Sequence, residues 1–260
     1  MTLKIISSHK NPKIKNFLNL RDKSRERKKQ NCFVVEGKIE IERALSGNYR
    51  FKEIYICEGS NNLFNEFSDQ VSEFIIVESK LFNKVSFRNG SEKYIGIGHC
   101  KDHSLENLQI KSNGVYLIAQ SIEKPGNIGA LMRTSAALGI NGFISVDPLT
   151  DLYNPISIRS SLGAIFNQLI IVCNSESLLK IFKTKKINIL SSLLNKKSTS
   201  FKNAKYTRPC AIVVGNESKG LKRFWSDNSD QNIYIPMKNN IDSLNVSVAA
   251  AILAQQAIDN

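Results

Sequence analysis

The residues best suited to chemistry lie near the carboxyl end of the chain, where two polar side chains interrupt an apolar stretch. Ser243 and Asn245 follow an Ile-Pro-Met segment that begins at Ile235, and they precede an alanine-rich run. Pro236 is expected to end a strand, residues 238–242 to form a loop, and the run after Asn245 to form a buried helix. A strand, loop and helix start offers backbone donors to a ligand. The alternative is that Ser243 only caps the helix.

A second polar group opens a helix farther upstream. Pro125 and Gly126 form a turn after the apolar run 115–119, and Asn127 is predicted to cap the following helix. Arg133 lies six residues later. A cation near a helix start opposes the helix dipole and needs an anionic partner. The alternative is that Asn127 caps the helix and Arg133 forms a surface ion pair.

A third group follows the buried run 210–214, where Gly215 and Glu217 stand at the predicted carboxyl end of a strand. Ligands of open α/β sheets bind at that end, and a glycine there lets the backbone approach a ligand closely. The alternative is a glycine-rich turn with a solvated Glu217. The sequence contains no Gly-x-Gly-x-x-Gly or Gly-Lys-Ser/Thr motif, so it does not indicate the common dinucleotide and nucleoside triphosphate loops.

Two sets of alternating strands and helices position these groups. The first set predicts a small α/β unit, with strands at 31–36, 52–57, 74–78 and 94–98 and helices near 37–47, 60–71 and 79–88. A polar stretch at 98–113 is the predicted linker. The second set predicts a largely parallel sheet covered on both faces, with strands at 115–119, 142–146, 168–173, 187–191, 210–214 and 232–235. The predicted domains are therefore residues 1–105 and 106–260.

Charge and composition narrow the class of protein. The 260 residues carry a net charge of +13, and residues 1–30 hold ten Lys or Arg against Asp22 and Glu26. A concentrated positive field favours a polyanionic partner, although a charge run is also typical of a solvated face. No apolar run approaches the roughly 20 residues of a membrane span, and no signal peptide is evident. We expect a soluble cytoplasmic protein. Its five cysteines, without a Cys-x-x-Cys pair, predict reduced core thiols.

The three groups together resemble the signature motifs of the SpoU/TrmH family, S-adenosylmethionine-dependent RNA ribose 2'-O-methyltransferases of the SPOUT superfamily. The resemblance spans 127–251 and rests on the order of Asn127 with Arg133, Gly215 with Glu217, and Ile235-Pro236-Met237 with Ser243-Leu244-Asn245-Val246. The segment from Asp151 to Ala164 is similar to the connection that this family has between its first two motifs. Residues 11–37 are similar to the RNA-binding domain often attached to it.

The resemblance implies a homodimer whose carboxyl-terminal α/β domain, with its parallel sheet, contains a deep trefoil knot. A smaller α/β RNA-binding domain precedes it. The cofactor would be S-adenosylmethionine, held in the knotted loops mainly by backbone groups. By the same resemblance, the cofactor-binding residues are Ser192, Leu193, Gly215, Ile235, Met237 and Leu244.

The resemblance also assigns roles in catalysis. Arg133 would act on the ribose hydroxyl with help from an RNA phosphate. Since a guanidinium stays protonated in proteins, we expect Arg133 to bind the phosphate and orient the nucleophile. The identity of the general base stays open. The supporting polar residues are Asn127, Glu217, Ser243 and Asn245. The substrate is expected to be ribosomal RNA. Its predicted contacts in the basic amino-terminal region are Lys13, Lys15, Arg21, Lys23, Arg25 and Arg27.

Three rival interpretations remain at this point. A transfer-RNA ribose methyltransferase would carry the same motifs. A non-catalytic RNA-binding or ribosome-assembly factor would keep the fold without binding the cofactor. A zinc site built from His99, Cys100, His103 and Cys57 matches no closed zinc spacing, so we expect no metal.

Overall fold

A computed structural model describes residues 5–87, 91–216, 218–239 and 241–260. Its helices are α1 (Pro12–Asp22), α2 (Ser24–Gln30), α3 (Lys38–Ser46), α4 (Ser79–Val85), α5 (Pro125–Ala137), α6 (Pro155–Ser160), α7 (Ser175–Thr184), α8 (Arg223–Asn228) and α9 (Val246–Asp259). Its strands are β1 (Cys32–Glu36), β2 (Phe51–Cys57), β3 (Phe74–Val77), β4 (Tyr94–His99), β5 (Val115–Gln120), β6 (Gly142–Val146), β7 (Ile170–Cys173), β8 (Asn188–Ser192), β9 (Thr199–Ser200), β10 (Cys210–Val214) and β11 (Gln231–Tyr234). The predicted α/β class is confirmed.

The chain divides into two compact units. The first unit comprises the chain up to Asp102 together with Asp151–Asn167, and the second comprises His103–Thr150 and Gln168–Asn260. The sequence predicts a single boundary at residue 105, whereas the structure places Asp151–Asn167 in the first unit.

The first unit is built on a mixed four-stranded sheet with the order β1-β4-β2-β3. Strand β4 runs antiparallel to β1 and β2, whereas β2 and β3 are parallel. Helix α1 buries Ile14, Phe17 and Leu20 against one core of this unit. The predicted helix at 60–71 is replaced by a 3₁₀ turn at Asn65–Gln70. The side chain of Asn62 accepts a hydrogen bond from the backbone N–H of Phe64 at 3.0 Å, and such local bonds compete with helix formation.

The segment Asp151–Asn167 is fixed in the first unit by a buried ion pair and an aromatic cluster. The Nε of Arg27 donates to Asp151 Oδ2 at 2.8 Å, and the Arg27 side chain is only 3% exposed. The same guanidinium donates to the carbonyl of Leu20 at 2.7 Å. The Tyr153 ring stacks on Phe33 with a centroid separation of 5.4 Å. Because its guanidinium is buried and bonded to groups of the same unit, Arg27 is a structural residue.

Replacing Arg27 with alanine is expected to lower the free energy of unfolding by about 3 kcal/mol, because the Asp151 carboxylate, which is only 15% exposed, is left without its cation. Urea unfolding followed by circular dichroism measures the change. Arg25→Ala is the matched control, since Arg25 lies on the same helix with its side chain 93% exposed and should change stability by less than about 0.5 kcal/mol. Equal losses in the two variants would contradict a special role for the Arg27 pair.

The second unit is built on a seven-stranded sheet with the order β7-β6-β5-β10-β8-β11-β9, in which every pair of neighbours is parallel. All residues of β5, β6 and β10 are buried. Such continuously apolar strands are typical of a parallel sheet covered on both faces. Parallel strands bring their carboxyl ends to one edge, so the segments that follow β5, β8, β10 and β11 start on the same side of the sheet.

Helices α5 and α9 pack against each other in this unit. Helix α9 buries Ala250, Leu253, Ala254 and Ala257, which fits the predicted buried helix after Asn245. Helix α5 begins at Pro125, with Lys124 as its N-cap residue. The prediction that Asn127 caps this helix is therefore wrong: proline suits the first helical position because its φ is already helical, so the N-cap lies three residues earlier than predicted.

All five cysteines are free. Burial raises the pKa of Cys210 to about 11, as expected for an unreactive core thiol. Within the described ranges, no group of three or more His, Cys, Asp and Glu is arranged to hold a metal ion. No helix of the described chain has both the length and the apolar content to cross a membrane.

Candidate functional site

The loops at the carboxyl edge of the second sheet enclose a cavity of about 580 Å³. It is bounded by the ends of β8, β10 and β11 and by the chain leading into α9. Its lining includes all six residues that the resemblance assigns to the cofactor, Ser192, Leu193, Gly215, Ile235, Met237 and Leu244. The volume falls within the roughly 300–1,000 Å³ of ordinary ligand pockets.

Gly215 forms a narrow part of this lining. A Cβ atom at this position would lie 2.6 Å from the backbone N of Leu221 and 2.7 Å from the carbonyl carbon and oxygen of Gly220. These are backbone atoms, so a side chain at 215 requires the 220–221 turn to move. The glycine is needed to let two stretches of backbone pass each other at the cavity wall.

Asn216 organises the loop beyond Gly215. Its Oδ1 accepts hydrogen bonds from the backbone N–H groups of Ser218 and Lys219, each at 3.0 Å, and its Nδ2 donates to the carbonyl of Ser121 at 2.9 Å. The side chain is 5% exposed. One amide therefore ties the loop that lines the cavity to the turn after β5.

An ion pair supports the far end of the same loop. Lys222 donates from Nζ to Asp147 Oδ2 at 2.9 Å, and its backbone N–H donates to Gln120 Oε1 at 2.9 Å. Ser175 Oγ donates to the same carboxylate at 2.8 Å. Burial alone would raise the pKa of Asp147, but the hydrogen bonds from Lys222 and Ser175 hold it below its usual value. The carboxylate thus stays charged and anchors the loop.

Two of the predicted catalytic residues meet at the start of α9. Asn245 Nδ2 donates to Asn127 Oδ1 at 3.2 Å. Asn245 also caps α9, since its Oδ1 accepts from the backbone N–H of Ser247 at 3.0 Å. Ser243, the other candidate for that cap, lines the cavity instead. The amide pair joins the first turn of α5 to the first turn of α9.

Arg133 is an exposed residue of α5 and is not part of the cavity lining. Its side chain makes no hydrogen bond or ion pair with any residue that the structure describes. Its cation is therefore available to an anionic ligand, as the sequence analysis expected of it. Glu217 lies outside the described residues.

The predicted RNA-binding cations fall into three groups. Lys15, Lys23 and Arg25 are exposed. Lys13 pairs with Glu73 and, at 3.3 Å, with Glu53; burial would lower its pKa, but these carboxylates raise it. Arg21 is bound to both oxygens of Asp22 at 2.7 and 3.0 Å. Arg27 has no accessible face for RNA, because its guanidinium is buried in the ion pair with Asp151, and we remove it from the set.

Sequence reasoning missed several residues of the site. Asn216, Tyr234 and Asp242 line the cavity beside the expected residues. Asn216 had a usable signal, because an asparagine that directly follows a glycine at a strand end readily bonds the backbone two residues on. No sequence signal could have indicated the contacts among Gln120, Asp147 and Lys222, because these residues are distant in sequence and meet only through the strand order.

Comparisons with known proteins agree with this arrangement. Residues 114–255 match the profile of the SpoU rRNA Methylase family, and residues 11–96 match that of the MRM3-like substrate binding domain. The 23S rRNA (guanosine(2553)-2'-O)-methyltransferase RlmP of Bacillus subtilis (strain 168) is 27% identical over 251 residues, which cover 96% of this chain and 98% of that protein.

Solved structures extend the likeness to the whole chain. A crystal structure described as an RNA 2'-O ribose methyltransferase matches with a TM-score of 0.84 at 29% identity and covers 98% of both chains. An rRNA methyltransferase from Sinorhizobium meliloti matches with a TM-score of 0.89 at 22% identity, covering 99% of this chain and 98% of that one, and supports the fold.

Proposed function

The chain belongs to the SpoU rRNA methylase family, and we propose that it transfers a methyl group from S-adenosylmethionine to a ribose 2'-hydroxyl of ribosomal RNA. The observation that carries the proposal is the 580 Å³ cavity, which is lined by all six residues expected to hold the cofactor. The likeness to RlmP over nearly the whole chain supports a ribosomal substrate, because that relative is named for 23S rRNA. We place the reaction in the cytoplasm, where that RNA is found.

The cavity fits the cofactor in size and chemistry. Gly215 lets the backbone come close, and the loops at Leu193, Ile235 and Leu244 offer main-chain groups along an otherwise mostly apolar lining. S-adenosylmethionine supplies an electrophilic methyl group on a sulfonium sulfur. The chain must hold the ribose oxygen in line with that methyl group and remove the hydroxyl proton.

Polar residues at the cavity wall and outside it divide these tasks. Arg133 binds an RNA phosphate and orients the hydroxyl, which suits its exposed and unpaired guanidinium within the described chain. Asn127 and Asn245, bonded to each other, hold the starts of α5 and α9 in register with the cavity. Ser243 at the cavity wall and Glu217 are proposed to complete the hydrogen-bonding of the site.

Asn216 is proposed as a positioning residue for the cofactor loop, and Asn216→Ala is expected to weaken S-adenosylmethionine binding about tenfold. The loss of its bonds to Ser218, Lys219 and Ser121 frees the loop to leave the cavity wall. Isothermal titration measures the affinity, and the melting temperature reports on the fold. Asn174→Ala is the control, since Asn174 caps α7 through Ser177 N at 2.8 Å without lining the cavity.

A drop in cofactor affinity that merely follows the melting temperature in both asparagine variants would mean that Asn216 serves stability alone. A selective drop in Asn216→Ala supports its positioning role.

The first unit is proposed to bind the RNA. Its exposed Lys15, Lys23 and Arg25 suit phosphate contacts, and its match to a substrate binding domain supports that role. Lys13 and Arg21 keep part of their donors engaged with carboxylates, so we expect smaller contributions from them.

We also propose that the protein acts as a homodimer, joined through α5 and α9. The two helices border an open groove of about 560 Å³, whose lining includes Ala137, Leu138, Ala251 and Ile252. Val248, one turn before Ile252, is 47% exposed. Apart from Asp259, the residues that line this groove are uncharged, and such a surface fits a second copy of itself, which sedimentation equilibrium tests.

The test of function is transfer of labelled methyl from S-adenosylmethionine to separated, unmodified ribosomal RNA, transfer RNA and ribosomal subunits. Label in ribosomal RNA or subunits, with an alkali-resistant linkage at the labelled nucleotide, is the expected result. Label in transfer RNA alone would replace the proposed substrate. Failure to bind the cofactor would favour a non-catalytic RNA-binding protein.

A further inference from the structure

The first unit carries a narrow cleft beside an exposed aromatic ring. Its walls are formed by Glu36, Phe87, Pro155, Ile156, Ile158 and Arg159. Phe87 is 41% exposed and Ile156 is 54% exposed, although both are large apolar side chains. Arg159, one turn of α6 after Ile156, is exposed as well. We call this set the α6 cleft.

Phe87 is restrained both at its backbone and at its ring. Its backbone N–H donates to Glu36 Oε2 at 2.6 Å. The guanidinium of Arg21 lies 5.2 Å from the ring centroid, a cation–π distance, and is itself fixed by a hydrogen bond to the carbonyl of Val85 at 2.7 Å. An exposed aromatic ring that is already immobilised loses little entropy when a ligand stacks on it.

The residues that α6 contributes to the cleft are also held in place. Helix α6 is capped by Asn154, whose side chain accepts from Ile156 N at 2.9 Å. Its Ile158 is buried at 1% exposure, which leaves Ile156 and Arg159 facing outward. An apolar surface and a cation are thus presented together at one rim of the cleft.

This chemistry matches an unpaired nucleotide. A nucleobase has flat apolar faces that stack on aromatic and aliphatic side chains, and the attached phosphate pairs with an arginine. The cleft holds only about 40 Å³, which is little more than one water molecule, so a base must lie across its mouth and cannot enter it.

We propose that the α6 cleft is a subsite for an unpaired nucleotide of the RNA substrate, with its base stacked on Phe87 and Ile156 and its phosphate on Arg159. The inference rests on the proposed function, because it takes RNA as the substrate. It adds a preference for single-stranded over fully paired RNA in the first unit, and it assigns that preference to stacking in addition to charge.

The test is binding of the full-length protein to a short fluorescein-labelled single-stranded RNA and to the same sequence as a duplex, followed by fluorescence anisotropy at fixed salt. Phe87→Ala is expected to weaken single-strand binding about tenfold and to leave duplex binding within about twofold, since one base stack contributes about 1–3 kcal/mol. Phe87→Trp should restore single-strand binding. Arg159→Ala should weaken both and reduce the salt dependence by about one phosphate contact.

Ile39→Ala is the matched control, because Ile39 is 57% exposed in the same unit and does not line the cleft. Unchanged single-strand binding in Phe87→Ala, or an equal loss with duplex RNA, would overturn the subsite. If the unaltered protein methylates RNA while Phe87→Ala binds it normally, only the subsite fails. If the unaltered protein neither binds nor methylates RNA, the proposed function fails and the subsite fails with it.

Discussion

Arg133→Ala is expected to reduce methyl transfer by about 10³-fold and to leave the affinity for S-adenosylmethionine within about twofold. Arg133 stands outside the cavity lining and is exposed on α5. Its removal therefore takes nothing from the wall that holds the cofactor. It takes away the cation that we assign to the RNA phosphate and the reacting hydroxyl, and loss of such a group commonly costs about 10²–10³ in rate.

The variant Arg133→Lys tests whether the positive charge of Arg133 or the geometry of its guanidinium is what activity requires. Lysine carries the same charge but presents it as a single ammonium, whereas arginine binds a phosphate with two parallel donors. If the role of Arg133 is to orient the hydroxyl through a fixed phosphate, Arg133→Lys should recover only a small part of the activity. Recovery to near the original rate would mean that charge alone suffices.

A second variant, Arg223→Ala, controls for the general effect of removing an exposed arginine from this unit. Arg223 is a 90% exposed arginine of the same unit, on α8, with an ion pair to Asp227 at 3.2 Å. Arg223→Ala should leave methyl transfer and melting temperature essentially unchanged. If Arg133→Ala loses cofactor binding together with activity, the arginine supports the fold and is not a catalytic residue.

The sequence predicted the second unit well because its strands are continuous apolar runs. Continuous apolar runs such as 115–119 and 210–214 are typical of strands in a parallel sheet that is covered on both faces. In the structure, β5 and β10 pair in parallel at the centre of such a sheet. Polar residues that follow such runs must then share one edge. The resemblance to the SpoU/TrmH family added Ser192 and Leu244, which have no chemical signal of their own, and the family is confirmed by the matching profile.

Whether an individual charged side chain is buried or exposed was harder to predict from the sequence. Arg27 belongs to the same basic run as Arg25, yet one is buried and the other fully in solvent. The partner of Arg27, Asp151, is 124 residues away in the sequence, so no local sequence pattern predicts the pair. The same separation hid the packing of Asp151–Asn167 into the first unit, since a segment between two elements of one predicted domain is normally assigned to that domain.

Gly215→Ala is expected to weaken S-adenosylmethionine binding by about 100-fold while the chain stays folded. The new methyl group would stand 2.6 Å from Leu221 N and 2.7 Å from Gly220 O, closer than van der Waals contact allows. Neither atom belongs to a flexible side chain, so the backbone of the 220–221 turn must move. Both Gly220 and Leu221 line the cavity, and the displacement changes its shape. Overpacking of this kind costs about 1–3 kcal/mol, and the upper end corresponds to 100-fold or more in affinity.

Gly126→Ala provides the comparison for this substitution. Gly126 lies in the first turn of α5, and an added Cβ there meets no atom within 4 Å. Alanine also favours a helix over glycine, so this variant should bind the cofactor normally and melt at the same or a slightly higher temperature. Isothermal titration and thermal melting of both variants make the comparison. Normal cofactor affinity in Gly215→Ala would mean that the turn yields without disturbing the cavity, and the close approach at Gly215 would then have no part in binding.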